Sequence, residues 1–141
     1  MSRVVNPNNG GRQRSHLMKS MAMAMRVLAE KREIDEEGRD IAAFLILALE
    51  DIWRSVDQSA SAWERRNYWV KADQFREQWR WVDRLAGELK EALNSQSWDE
   101  LAKGMTVLAS KLGGVPVPKR LPTPRPWKAA GAELGARADR K

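Results

Sequence analysis

The sequence predicts an all-α protein: a four-helix antiparallel bundle with an extended basic N-terminal arm and a Pro-rich basic C-terminal tail. Apolar residues recur at intervals of three and four residues in four separate segments, which is the period of a helix that buries one face. Short polar segments join these four, and short connections favour antiparallel neighbours. Five of the six prolines lie within residues 116–126, beyond the last helical pattern. We therefore divide the chain into an arm (1–14), a helical bundle (15–112) and a tail (113–141).

The first half of the chain predicts the arm and two helices. Residues 1–14 contain Asn-Pro, Asn-Asn and Gly-Gly pairs, which are typical of turns, so the arm is expected to be extended or disordered. The first helix is predicted over residues 15–31, with Ser15 as its N-cap and with methionines that either fill a core or form an adaptable binding surface. The second is predicted over residues 36–56, with Asp35 as its N-cap. Its centre is apolar on all sides, which indicates a central position or a shared interface.

The third predicted helix, residues 62–93, contains four of the seven tryptophans. Ser61 and Glu64 match a capping box at its start, although a single bent helix over residues 36–93 is an open alternative. Its apolar residues are spaced like a heptad seam, which needs a partner helix to bury it. The seam consists of Tyr68, Ala72, Phe75, Trp79, Val82, Ala86, Leu89 and Leu93.

The last quarter of the chain predicts a fourth helix followed by the tail. Ser97 and Glu100 match a second capping box, and Gly113-Gly114 is the predicted stop. The prolines beyond it favour an extended polyproline II segment. Trp127 then either docks the tail on the bundle or belongs to a binding surface, and the final residues can form a short alanine-rich helix.

Basic residues are concentrated at both ends of the chain. Residues 1–19 contain four basic residues and no acid, residues 113–141 contain seven basic and two acidic residues, and the segment between them is net acidic. Lys and Arg bind phosphates by displacing counterions, so the first hypothesis is a non-enzymatic nucleic-acid-binding or ribonucleoprotein-associated protein, with RNA favoured over DNA. The alternative is that charged tails only keep the chain soluble. The candidate contacts in the arm and tail are Arg3, Arg12, Arg14, Lys119, Arg120 and Arg125.

The two flanks of the third helix supply further candidates. On one flank Arg76, Arg80 and Arg84 lie four residues apart, with Trp69 nearby. This ladder faces either acidic residues of the second helix or a phosphate backbone, and in the second case Arg76, Arg80 and Trp69 extend the nucleic-acid site. The other flank is a second apolar stripe, which predicts an interface with a protein partner or a second copy and makes an assembly subunit the alternative function. The stripe consists of Trp63, Val70, Trp81 and Leu85.

Composition argues against several classes of protein. His16 is the only histidine and there is no cysteine, so we expect no catalytic site, no metal site and no cofactor. The longest apolar run, residues 41–49, is far shorter than the roughly 20 residues of a membrane-spanning helix. The first residues also lack the apolar stretch of a signal peptide. We therefore expect a cytoplasmic protein that is not an enzyme and has no membrane partner.

Residues 63–79 read Trp-Glu-Arg-Arg-Asn-Tyr-Trp-Val-Lys-Ala-Asp-Gln-Phe-Arg-Glu-Gln-Trp. This segment, together with the Asn-Pro-Asn near the N-terminus, resembles a family of small uncharacterised bacterial helical proteins. The resemblance covers most of the chain. It implies a helical fold and implies no activity, cofactor or site residue.

Overall fold

A computed structural model describes the backbone of residues 7–139 and the side chains of residues 10–139. Over this part of the chain the protein is all-α and has no strand, which confirms the all-α part of the prediction. Arg3 lies outside the described residues. None of the described helices is long and apolar enough to cross a membrane. The helices are α1 (Pro7–Ala29), α2 (Glu36–Glu64), α3 (Trp69–Asn94), α4 (Trp98–Leu112) and α5 (Ala130–Asp139).

The prediction of an extended arm is wrong for residues 7–14, because α1 begins at Pro7 and includes them. Proline is favoured in the first turn of a helix, where its missing N–H has no intrahelical acceptor. The glycines that suggested a turn allow close packing instead. A Cβ on Gly10 would lie 3.2 Å from Nη1 of Arg14 and 3.2 Å from the Ser55 hydroxyl of α2. Tertiary packing therefore stabilises a helix that the local pattern argues against.

The central helix is α2, which packs against α1, α3 and α5. The predicted N-cap is confirmed, because Oδ1 of Asp35 accepts a hydrogen bond from the Gly38 N–H at 2.7 Å. Eight of the nine residues in the apolar run 41–49 are buried and Phe44 is partly buried. A helix with three neighbours needs apolar residues on most of its sides, which explains why this run has no polar face.

The predicted boundary between the second and third helices is wrong. α2 continues through Glu64, so Ser61 lies inside a helix instead of capping one, and the chain then turns before α3 begins at Trp69. This turn also rules out the alternative prediction of a single bent helix over residues 36–93. Ser59 and Ala60, which interrupt the apolar pattern, are buried. Ser59 faces α1, where its hydroxyl would lie 3.3 Å from a Cβ on Gly10, so this segment has the composition of a break but packs as a helix.

The four long helices form a closed ring of neighbouring pairs, because α3 packs on α2 and on α4, and α4 also contacts α1. The predicted seam of α3 is buried or partly buried from Ala72 onward, but Tyr68 precedes the helix and is exposed. α4 begins after Ser97 and ends at Leu112, as expected. The Ser97 side chain makes no capping hydrogen bond, and Gly113 has right-handed backbone angles, so the residues expected to cap α4 do not act as predicted.

The C-terminal tail returns to the start of α2. Trp127 is buried, its ring meets Phe44 edge-on at 6.4 Å between centroids, and its Nε1 donates to Oε2 of Glu37 at 3.1 Å. Glu37 also accepts hydrogen bonds from Lys31 at 2.9 Å and Arg125 at 2.7 Å. Of the two alternatives for Trp127, docking of the tail on the helical core, at α2, is the one observed. α5 follows and packs on α2.

Candidate functional site

The turn between α2 and α3 carries the most exposed large apolar side chains in the described part of the chain. Tyr68 and Trp69 are each 57% exposed and Val70 is 70% exposed. The three residues are consecutive and lie where one helix ends and the next begins. We call residues 65–71 the hairpin tip. Several exposed large apolar side chains at one connection between helices are typical of an interaction site.

The backbone of the hairpin tip is held by hydrogen bonds. The Asn67 N–H donates to the Glu64 carbonyl and the Tyr68 N–H donates to the Trp63 carbonyl, each at 2.9 Å. This is the pair of bonds that ends many helices, and it requires a residue in the left-handed conformation. Asn67 supplies it with φ of 67°, which asparagine tolerates better than most residues. The exposed aromatic rings are therefore presented from an ordered turn.

The hairpin tip is also positively charged. It contains Arg65, Arg66 and Lys71, all exposed, and no acidic residue. The neighbouring carboxylate of Glu64 is bound by Arg76 at 2.7 Å, and this hydrogen bond holds the pKa of Glu64 below its ordinary value. Because Arg76 neutralises that carboxylate, the three cations of the tip dominate the local field.

The predicted arginine ladder faces α2. Arg76 donates to Glu64 and, at 3.1 Å, to Asp57, and its pKa is raised mainly by the hydrogen bond to Glu64. Arg80 donates to Glu77 at 2.8 Å and lies 5.7 Å from the ring centroid of Trp53. Of the two alternatives, acidic residues of α2 are therefore what Arg76 meets. Neither arginine can bind phosphate without giving up these contacts.

The second apolar stripe is divided among different surroundings. Trp63 packs edge-on against Phe75 at 5.0 Å between ring centroids, so it lies within the α2–α3 pair. Leu85 is buried beside Gly104 of α4, and Trp81 stacks on Trp79 and meets Lys111 of α4. α4 therefore covers half of the predicted protein interface. Val70 is the member that stays fully exposed, and it belongs to the hairpin tip.

Arg14, which the sequence predicts to be a phosphate contact, is instead buried between helices in the structure. Its side chain is only 9% exposed, Nη1 donates to the Ser55 hydroxyl at 2.8 Å, and its guanidinium lies 5.0 Å from the Phe75 ring centroid and 5.7 Å from that of Trp79. Burial lowers the pKa of Arg14. The neighbouring Arg12 is exposed on α1.

Arg125 of the tail lies at the opposite end of α2 from the hairpin tip. Lys119 and Arg120 are exposed, while Arg125 binds Glu37 in the first turn of α2. The tip follows the last turn of the same helix at Glu64. At a rise of 1.5 Å per residue, the two ends of α2 are separated by roughly 40 Å. A short ligand therefore cannot contact both the tip and Arg125.

Sequence reasoning missed Tyr68, Arg65, Arg66 and Lys71 as members of one surface. Tyr68 matched the heptad seam, and only the late start of α3 exposes it. The available signal was Asn67, because Arg-Arg-Asn followed by three large apolar residues fits a helix stop better than a helix interior.

No group of three or more histidine, aspartate or glutamate side chains that could hold a metal ion is found within the described residues. Comparison of the chain with family models, curated proteins and solved structures gives no match. The resemblance to a bacterial helical family stays a prediction, and the function is argued from the chain's own geometry.

Proposed function

We propose that this chain is a non-enzymatic nucleic-acid-binding protein that contacts unpaired bases and phosphates through the hairpin tip. The observation that carries the proposal is the adjacency of two exposed aromatic rings, Tyr68 and Trp69, to the exposed cations of the same turn. Aromatic side chains stack on unstacked bases, and Arg or Lys binds the backbone that joins them. RNA often presents unpaired bases in single-stranded loops, so we favour RNA over DNA as the ligand.

The free energy available at the hairpin tip is sufficient for such binding. Stacking of a base on an aromatic side chain contributes about 1–3 kcal/mol, and the tip offers two rings. Arg65, Arg66 and Lys71 form no ion pair with any carboxylate among the described residues, so no internal ion pair has to break before they bind phosphate, although the Lys71 ammonium lies 4.8 Å from the Trp63 ring centroid. The arginine ladder lacks this advantage, because Arg76 is already bound to Glu64 and Asp57.

The scaffold that we propose for the tip is an antiparallel four-helix bundle. Contacts between α2 and α3 support it: Asp57 pairs with Arg76, and further down the hairpin Glu50 pairs with Lys90. The basic residues of the tail remain secondary contacts in this proposal. A strand that bound both the tip and Arg125 would have to extend over roughly 40 Å, so only a long polyanion would involve both.

A protein-interaction or assembly subunit is the second candidate function, and the observation that favours it is Val70. This side chain is the most exposed of the apolar residues at the tip, and an aliphatic group adds nothing to base stacking. Trp, Tyr and Arg are also the residues that dominate many protein interfaces. A partner protein or a second copy would cover all three apolar side chains.

Fluorescence anisotropy with a labelled, unstructured 20-nucleotide RNA tests the first candidate. Trp69→Ala is expected to weaken binding between about 5-fold and 150-fold, which corresponds to the loss of one stacked base. Trp98→Ala is the matched control, because Trp98 is 38% exposed but lies at the start of α4, outside the tip. An equal loss in both variants would contradict the tip as the contact surface.

The salt dependence of binding tests the role of the cations. Replacing both Arg65 and Arg66 with glutamine should reduce the slope of log affinity against log salt by about 1.4, or about 0.7 for each phosphate contact to a single strand. Arg84→Gln, an exposed arginine further along α3, should leave the slope unchanged. The assembly subunit would be favoured instead if the protein bound no RNA at low salt and if sedimentation showed oligomers that Val70→Asp dissociates.

A further inference from the structure

A groove separates α1 from α4 at the end of the bundle opposite the hairpin tip. It is bounded by the C-terminal end of α1, by the connection to α2, and by one face of α4, and its volume is about 370 Å³. Nine of its thirteen lining residues are apolar. Sites for small molecules usually enclose roughly 300–1,000 Å³, so the groove has the size and lining of a small-ligand site.

The groove exists because small residues line facing sides of it. Ala29 on α1 and Ala102 and Ala109 on α4 line the groove, and the two alanines of α4 are seven residues apart on one face of their helix. Between them the groove is lined by Met25 and Met105. Methionine side chains are unbranched and adapt to flexible apolar ligands more readily than branched ones do.

The rim of the groove carries a free positive charge. Lys31 lines the groove, but its ammonium is bound to Asp35 at 3.0 Å and to Glu37 at 2.9 Å. Arg32 also lines it, is exposed, and forms no ion pair within the described part of the chain. Glu33 is the opposing charge at the rim. Because a guanidinium binds a carboxylate through two parallel hydrogen bonds, Arg32 suits an anionic ligand head.

We propose that the α1–α4 groove binds an unbranched aliphatic carboxylate, with the hydrocarbon chain between Met25 and Met105 and the carboxylate at Arg32. The apolar lining contacts the hydrocarbon chain of the ligand, and Arg32 at the rim binds its carboxylate. This site is independent of the hairpin tip.

Titration calorimetry with dodecanoate, kept below its micelle concentration, tests the site on the full chain. Saturable binding is expected for the native protein. Ala102→Trp should weaken it at least tenfold, because Ala102 is exposed on the groove wall and a larger side chain there fills the space. Ser110→Trp is the matched control, since Ser110 is exposed on the same helix but does not line the groove, and its affinity should stay within twofold of the native value.

Two further measurements separate the head from the chain. Arg32→Gln should weaken dodecanoate binding about tenfold, as expected for loss of a charge-assisted hydrogen bond, and leave dodecanol binding unchanged. A brominated dodecanoate should quench the fluorescence of Trp98 at the groove rim, and the quenched component should disappear in Trp98→Phe. This measurement does not depend on whether Ala102→Trp folds. Absence of saturable dodecanoate binding would overturn the proposal. The proposal would also be overturned if the protein formed a dimer that Ala102→Trp dissociates but dodecanoate does not dissociate. A second copy of the chain would then be the occupant of the groove.

Discussion

Replacing Gly104 with alanine is expected to destabilise the protein, even though alanine is the better helix former. Gly104 lies in the middle of α4, where α4 meets α3. A Cβ at this position would overlap Cδ2 of Leu89 and would lie 3.3 Å from Cγ of the same side chain and 3.6 Å from Cδ1 of Leu85. Leu89 is completely buried, so its side chain cannot move aside into solvent.

The expected magnitude follows from two opposing effects. Alanine stabilises a helix interior by about 1 kcal/mol relative to glycine. Overpacking of a filled core costs about 1–3 kcal/mol. The free energy of unfolding of Gly104→Ala should therefore fall by about 0–2 kcal/mol, depending on how far α4 can shift away from Leu89.

Gly87 is the matched control, because it also lies inside a helix, α3, but no atom lies within 4 Å of the Cβ that alanine would add. Gly87→Ala should raise the stability by about 1 kcal/mol. The two variants should differ by about 1–3 kcal/mol in urea unfolding, and by roughly 4–12 °C in Tm for a domain of this size. Equal or greater stability of Gly104→Ala compared with Gly87→Ala would refute the close α3–α4 contact.

Three further predictions concern single side chains. The hydrogen bonds from Lys31 and Trp127 lower the pKa of Glu37 from 4.5 to about 2, so this carboxylate stabilises the docked tail above about pH 4.5 and loses that effect as the pH falls toward 2. Hydrogen exchange of the Trp127 indole N–H, which Glu37 binds, should show this release in the native protein, and Glu37→Gln should reduce its pH dependence. The free energy of unfolding of Arg14→Met in urea should stay within about 1 kcal/mol of the native value, because an apolar side chain of similar length avoids the cost of burying a charge. Arg14→Ala should instead lower it by about 2–4 kcal/mol, because the shorter side chain leaves a cavity. Asn67→Gly should be tolerated, and Asn67→Val should cost about 1–3 kcal/mol in the same assay, because valine strongly disfavours positive φ.

The candidate site could be predicted only in part. Trp69 and Val70 were both identified from the sequence, but they were assigned to opposite flanks of a helix and to different functions. Both are exposed at the start of α3, before its first buried residue, Ala72, although they occupy different sides of the helix. For Arg76 the spacing along α3 left two partners open, acidic residues of the second helix or a phosphate backbone, and the structure shows the first, because Asp57 and Glu64 of α2 bind it.

The sequence by itself determined the helical class, the N-cap at Asp35, the central position of α2 and the limits of α4. Periodic apolar residues and capping side chains act within a few residues of each other, so these features can be inferred from local spacing. Only the tertiary structure decided that α1 begins at Pro7 and that α2 continues through Ser59 and Ala60. Glycine and serine weaken a local helical pattern, yet small residues permit two helices to approach closely, and the free energy of that packing depends on a partner that the local sequence does not contain. The exposure of the hairpin tip is likewise tertiary, because it depends on which residues α1 and α4 leave uncovered.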